Sequence, residues 1–209
     1  MIRVGGLTPL TTTDYPGCLS AVVFCQGCPW RCGYCHNPHL LDPHSRGAIK
    51  WEAVLAFLAR RRGLLDAVVF SGGEPTLQKK LPGAVQKVRD MGFRIGLHTS
   101  GAYPERLKTL LPFLDWIGMD VKAPFDAYAA VTNVRGSGEK ARRSVDLILE
   151  SGVTHEFRTT VHPKKTTREA IETMAGELAR LGVGHYRVQA FRSRICLDRE
   201  LLSEKADGQ

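Results

Sequence analysis

Short apolar runs of strand length alternate along the chain with stretches whose apolar residues recur at helical spacing. Ser20–Phe24 predicts a first buried strand, and a cysteine- and proline-rich loop follows to about Gly47. Val54, Leu55 and Leu58 set a helix within Trp51 to Arg62, and Ala67–Phe70 predicts a second strand. A helix over Leu81 to Met91 tolerates Pro82 in its first turn. Phe93–Leu97 is a third strand, Pro104 to Leu111 a helix, and Trp116–Val121 a fourth strand. The pattern closes with a helix over Glu139 to Ser151 capped by Gly152, a strand at Phe157–Val161, a helix over Arg168 to Leu181 and a sixth strand at Tyr186–Ala190.

Strands alternating with helices predict parallel βαβ units in an α/β fold. A closed eightfold barrel takes about 250 residues. Six repeats in 209 residues therefore predict an open, partial (β/α)6 barrel, with a flat doubly wound sheet as the competing pattern. Both put their chemistry at the carboxyl ends of the strands. A single domain is expected, with its core over about 14–191 and a polar tail at 192–209 whose last residues are mobile.

Composition narrows the class. Hydrophobic residues make up 43% and charged residues 24% of the chain, as in soluble globular proteins. Lys and Arg exceed Asp and Glu by 29 to 21, but the positive residues are dispersed, with short clusters at Arg60–Arg62 and Arg142–Arg143. This reads as a solvated basic surface, with no nucleic acid expected as a partner. Met1–Gly6 is not a signal peptide and no stretch has membrane-spanning length, so no membrane association and a cytoplasmic location are expected.

Four of the six cysteines crowd together at 25, 28, 32 and 35, while Cys18 and Cys196 are solitary and read as packing residues. In a cytosolic chain such crowding indicates metal or redox chemistry rather than disulfides. Cys28, Cys32 and Cys35 stand with three and then two residues between them, directly after the first strand. Three closely spaced thiolates on an iron–sulfur cube leave one iron open to a small molecule. Gly33 suits a tight turn there, and Tyr34 suits shielding of the cluster edge. Cys25-x-x-Cys28 and Cys32-x-x-Cys35 also read as two zinc-binding pairs, although such pairs are usually about 15 or more residues apart. Cys25 is then a buried strand-end thiol or a stand-in ligand.

Cys28-x-x-x-Cys32-x-Tyr34-Cys35 resembles the signature of the radical S-adenosylmethionine (SAM) superfamily. The resemblance extends to Ser71-Gly72-Gly73-Glu74-Pro75 after the second strand, and it covers about Asp14 to Phe191. It implies a [4Fe-4S] cluster on Cys28, Cys32 and Cys35, which with S-adenosyl-L-methionine forms the catalytic centre. It also implies cofactor contacts from Tyr34, Gly72, Gly73 and Glu74. Thr99, Ser100, Asp120, Lys122 and Arg158, at successive strand ends, are expected to bind the SAM carboxylate and ribose, for which Lys and Arg are suited. Tyr34-Cys35-His36-Asn37-Pro38 and Asp14-Tyr15-Pro16-Gly17 look most like the activating enzymes of glycyl radical enzymes, above all of anaerobic ribonucleoside-triphosphate reductase. That implies a glycyl radical enzyme as partner and a flavodoxin or ferredoxin as electron donor. In related pyruvate formate-lyase activating enzymes an Asp that helps hold a monovalent cation takes the place of His98, so His98 departs from that cation site. His36 is expected behind or beside the cluster loop, and His155, His162 and His185 are expected to be structural. The competing functions are a radical SAM enzyme on a small molecule, of the 7-carboxy-7-deazaguanine synthase kind, and a zinc-stabilised nucleic-acid-binding module.

Overall fold

The computed structural model describes residues 1–191 and 196–201. Seven strands form one sheet in chain order: β1 (Val4–Thr11), β2 (Ser20–Cys25), β3 (Ala67–Gly72), β4 (Arg94–Thr99), β5 (Trp116–Asp120), β6 (Thr154–Val161) and β7 (Tyr186–Ala190). β1 pairs antiparallel with β2, and every later pair is parallel. The helices are α1 (Trp51–Ala59), α2 (Leu81–Asp90), α3 (Pro104–Leu110), α4 (Tyr128–Thr132), α5 (Ser137–Ser151) and α6 (Arg168–Arg180). Gly152 caps α5 in the left-handed region at φ 70°, as its position predicts.

Strand alternation separates two cores. Ala21, Val23, Val68, Phe70, Ile95, Leu97, Ile117 and Met119 face outward and pack with Val54 and Leu58 of α1, Val85 and Val88 of α2, Leu107 of α3, Val145 and Ile148 of α5 and Met174 of α6. Val22, Ala67, Val69 and Trp116 face the other way, onto Tyr15 and Cys18 of the β1–β2 loop. All the long helices therefore cover one face, and the strand order never reverses. A doubly wound sheet requires a reversal and helices on both faces. A sheet covered on one face and wound in one direction curls into a partial barrel, whose hollow side is floored by Tyr15 and Trp116 with ring centroids 5.5 Å apart.

β1 is absent from the six strands read from the sequence. Gly5, Gly6 and Pro9 blur its alternation, and its pairing with β2 slips at two places. Pro is tolerated because β1 is an edge strand. Ile2 and Val4 belong to the main core, so the packed structure begins ahead of Asp14. At the other end residues 196–201 lie against the molecule, with Cys196 and Leu201 buried. The mobility expected of the last residues concerns positions outside the described residues. No helix among the described residues is long and apolar enough to cross a membrane.

Candidate active site

The loop that leaves β2 is held in place by the chain alone. Gly27 and Cys28 donate their N–H groups to the carbonyls of Leu40 and Leu41, at 2.7 and 3.2 Å. The Gln26 side-chain amide donates to the carbonyls of His39 and Asp42. Further on, Trp30 is buried edge-on against Tyr128, and Arg31 N–H donates to the Thr132 carbonyl at 2.9 Å. The loop thus arrives at the carboxyl ends of the strands with Cys28, Cys32 and Cys35 all lining one cavity of about 450 Å³.

Cys25 is not among the lining residues. It is wholly buried in the helix-side core, and burial, with the Glu74 charge adding to it, pushes its thiol up to about 12. A stand-in ligand must reach the cavity, and Cys25 is turned into the core instead. Burial also pushes Cys28 up to about 12 and raises Cys32, with Lys122 pulling Cys32 the other way. A metal centre bound there displaces the thiol protons, so loading releases acid. Among the described residues no three His, Cys, Asp or Glu side chains converge on a single-ion site. A lone zinc needs its thiolates at about 2.3 Å from one point, whereas a cluster spreads them over different irons. Three thiols around one cavity without a common focus suit the cluster.

The Gly72–Pro75 element joins the end of β3 to the cysteine loop and to the end of β4. Gly72 has φ +117°, and a Cβ on it would lie 2.4 Å from Cys25 N. A Cβ on Gly73 would lie 2.3 Å from the Gly27 carbonyl oxygen. The glycines let the end of β3 press onto the root of the cysteine loop, where Gly73 N–H donates to the Cys25 carbonyl and Glu74 N–H to that of Gly27. Both glycines also line the cavity. Glu74 does not. Its carboxylate is 0% exposed and accepts from Thr76 N–H and Oγ1, Thr99 Oγ1, and Ser100 N–H and Oγ. Through these bonds the carboxylate ties the end of β3 to the end of β4. Thr99 and Ser100 face the cavity with what remains, because their hydroxyls are committed to Glu74.

Across the cavity, Asp120, Lys122 and Arg158 form one charged group. Arg158 Nε donates to Asp120 Oδ1 at 2.6 Å, and Lys122 Nζ stands 3.7 Å from Oδ2. Burial alone would push the Asp120 carboxyl up, but Arg158 and then Lys122 outweigh it and hold it at about 2. Lys122 and Arg158 thus stand together at the cavity wall, which Asp14, Glu156 and Arg187 also line, and such a pair of cations suits a ligand carboxylate. Tyr34, also lining the cavity, donates its hydroxyl to the Lys122 carbonyl at 3.4 Å. Tyr128, unmarked in the sequence reading, receives the Lys122 N–H at 3.0 Å and so fixes the same backbone. A buried aromatic beside a strand end has no sequence signature, which is why it escaped notice.

His98 lies next to this group. Its Nε2–H donates to the Asp14 carbonyl at 2.9 Å, so Nδ1 is the acceptor, 3.4 Å from Ser71 Oγ. Burial, then the Arg158 charge, lowers His98 from 6.5 to about 4, against the opposing pull of Asp120 and Asp14. The folded protein holds His98 neutral where the unfolded chain would protonate it. Stability should therefore fall as pH drops from 6.5 towards 4, by roughly 3 kcal/mol at most. Asp120, depressed from 3.8 to about 2, acts in a lower window: its contribution is present above 3.8 and is lost on acidification through about 2. Urea melts of wild type and His98→Gln at about pH 7 and about pH 4.5 check this. The wild type should lose stability over that range, and the variant, weaker at the start, should lose much less.

The other histidines divide. His36 stacks on Phe191 at 4.7 Å beside the cysteine loop, and His155 Nδ1–H donates to the Val153 carbonyl, just ahead of β6, at 2.8 Å. His162 is buried, 2% exposed, between Tyr34 and Phe191.

The sequence pattern of the radical SAM superfamily matches residues 22–175. A Methanocaldococcus jannaschii protein with the provisional name glycyl-radical enzyme activating enzyme is 34% identical over 206 residues, covering 94% of this chain and 83% of the relative. The pyruvate formate-lyase-activating enzyme of Clostridium pasteurianum is 29% identical over 186 residues, covering 84% and 75%. Among solved structures, SuiB of Streptococcus suis bound to S-adenosylmethionine superposes with a TM-score of 0.66 at 14% identity, over 87% of this chain and 42% of SuiB. That last likeness concerns the fold.

Proposed function

The chain belongs to the radical SAM superfamily, and from that premise we propose that it activates a glycyl radical enzyme, with anaerobic ribonucleoside-triphosphate reductase as the partner the sequence favours. The observation that carries the reading is the convergence of three loop thiols, two strand-end glycines and the Lys122–Arg158 pair on one cavity. The two relatives of similar extent, both bearing activating-enzyme names, support the protein partner.

Cys28, Cys32 and Cys35 would hold a [4Fe-4S] cluster, and Lys122 and Arg158 would hold the SAM carboxylate, with Asp120 fixing both cations in place. Gly72 and Gly73 line the wall where the amino group of SAM would lie. When bound, the reduced cluster and SAM supply reductive carbon–sulfur cleavage and a hydrogen-abstracting 5′-deoxyadenosyl group. The chain's own part is to orient and to exclude water. Tyr15 and Trp116 close the floor, and the buried Trp30 and Tyr34 close the loop side. The sheet stays open between β1 and β7, which leaves a flank through which a polypeptide segment can reach the cavity. An acidic one-electron donor of the flavodoxin or ferredoxin kind suits the net charge of +8.

The test is anaerobic reconstitution with iron and sulfide, followed by reduction, SAM addition and an assay for 5′-deoxyadenosine. Electron paramagnetic resonance then follows a co-incubated glycyl radical enzyme. About four irons per chain, SAM cleavage and a glycyl radical signal on the partner are expected. A colourless protein with one zinc and no cleavage refutes the reading. Cleavage without a radical on any glycyl radical enzyme moves the substrate to a small molecule.

A further inference from the structure

Residues 196–201 lie on the outer side of the cysteine loop, and the contacts between them are specific. Asp198 N–H donates to the Gly33 carbonyl at 2.9 Å. Leu201 and Cys196 are buried against Tyr34, with Val131 and Phe191 packed around them. A Cβ on Gly33 would meet Leu201 Cδ1 at 3.3 Å and Asp198 Cβ at 3.5 Å. Gly33 sits in the tight turn that Cys35 N–H closes onto the Cys32 carbonyl at 3.0 Å, and it lets residues 198–201 approach closely.

The fastening comes from the turn after β6. His162 Nε2–H donates to the Leu201 carbonyl at 2.8 Å, and its Nδ1 accepts the Lys164 N–H at 3.2 Å. Both ring nitrogens are thereby used in the neutral form, and one tautomer is selected. Lys164 Nζ donates to the Glu200 carbonyl at 3.0 Å. The segment Cys32-Gly33-Tyr34-Cys35 is thus held between the cavity on one side and residues 196–201 on the other.

We infer that residues 196–201 are a strap that seals the outer face of the cluster-binding loop, and that His162 is the positioning residue that latches it. This rests on the cluster assignment above. The strap keeps water and oxygen from reaching the loop through its back, and it holds the Tyr34 ring where it lines the cavity. His162 touches neither cavity nor ligand; it acts through Leu201.

Two full-length variants test this. His162→Phe keeps the ring packing and removes the hydrogen bond, while Leu201→Asp undocks the strap without touching β6. Hydrogen exchange of the iron-free chain comes first. Losing one net hydrogen bond shifts a local opening about fivefold. Exchange at the amides of 33–35 and 198 should therefore quicken about fivefold in His162→Phe, and more in Leu201→Asp, with the helix-side core unchanged. Unchanged exchange in both variants overturns the strap. The reconstituted proteins are then exposed to air, and loss of visible cluster absorbance is timed. Equal iron at the start and decay about fivefold faster in His162→Phe support the seal, whereas equal decay rates overturn it. If exchange responds but the wild type takes up no iron, the latch stands and the cluster reading falls, and with it the sealing role.

Discussion

Alanine at Cys28, Cys32 or Cys35 is expected to abolish iron retention and SAM cleavage, while alanine at Cys25 leaves both in place. Spacing sets Cys28, Cys32 and Cys35 apart in the sequence, and the fold sets Cys25 apart from them in space. Three line the cavity, and the fourth points into the core behind β2. Changing a group that merely supports a metal ligand costs 10–100-fold in affinity or activity, so removing a ligand itself should cost more than ~100-fold. Cys25→Ala loses a small buried side chain, with a stability cost of about 1 kcal/mol and no direct effect on the centre. Iron and sulfide counts, the visible spectrum and the rate of 5′-deoxyadenosine formation distinguish the four variants. If Cys25→Ala loses as much metal as Cys28→Ala, the site is a four-thiolate one and the assignment is wrong.

Glu74→Ala should be the most destabilising single change outside the apolar core. The carboxylate accepts two backbone N–H groups and three hydroxyls in a site with no access to water. The hydroxyls can turn to other acceptors, but the N–H groups of Thr76 and Ser100 cannot. Each orphaned buried donor costs about 1–3 kcal/mol, so the two together cost about 2–6 kcal/mol, from a total that for most domains is about 5–15. Glu74→Gln keeps the shape but turns an amide NH2 towards donors, so it should lie between wild type and alanine. Urea denaturation measures both. The variants should also load iron poorly at temperatures where they remain folded, because Glu74 N–H anchors Gly27 and with it the start of the cysteine loop. A Glu74→Gln protein as stable as wild type would show that the carboxylate does not bind the strand ends together.

Where the sequence was legible, a local rule was enough. β2, β3 and β5 announce themselves because they are buried on both faces and read as nearly unbroken apolar runs, such as Ala67–Phe70, whereas the half-exposed β6 and β7 are legible chiefly from their place in the alternation of strands and helices. Cys28, Cys32 and Cys35 are found by spacing, since the loop that carries them needs no distant partner to be recognised. β1 was missed because an edge strand with Gly5, Gly6 and Pro9 has neither alternation nor a full set of ladder bonds. The hydrogen bonds of Glu74 to Thr99 and Ser100 could not be read from the sequence, because a bond across 25 residues leaves no mark in local pattern. The contacts of Gly33 and the partner that His162 holds were hidden for the same reason, since they come from residues 198–201.

Because the strand order equals the chain order, each strand emerging from the ribosome finds its partner already in place. Assembly can therefore run from one end to the other with no need to wait for a distant segment. The metal-binding loop comes early in that sequence, directly after β2, whereas the cations opposite it and the segment behind it come from β5, β6 and residues 196–201. Thiols synthesised early thus stay half-enclosed until β6 and residues 196–201 have followed, so a nascent chain that stops short of them lacks Arg158 and the backing segment of the cysteine loop.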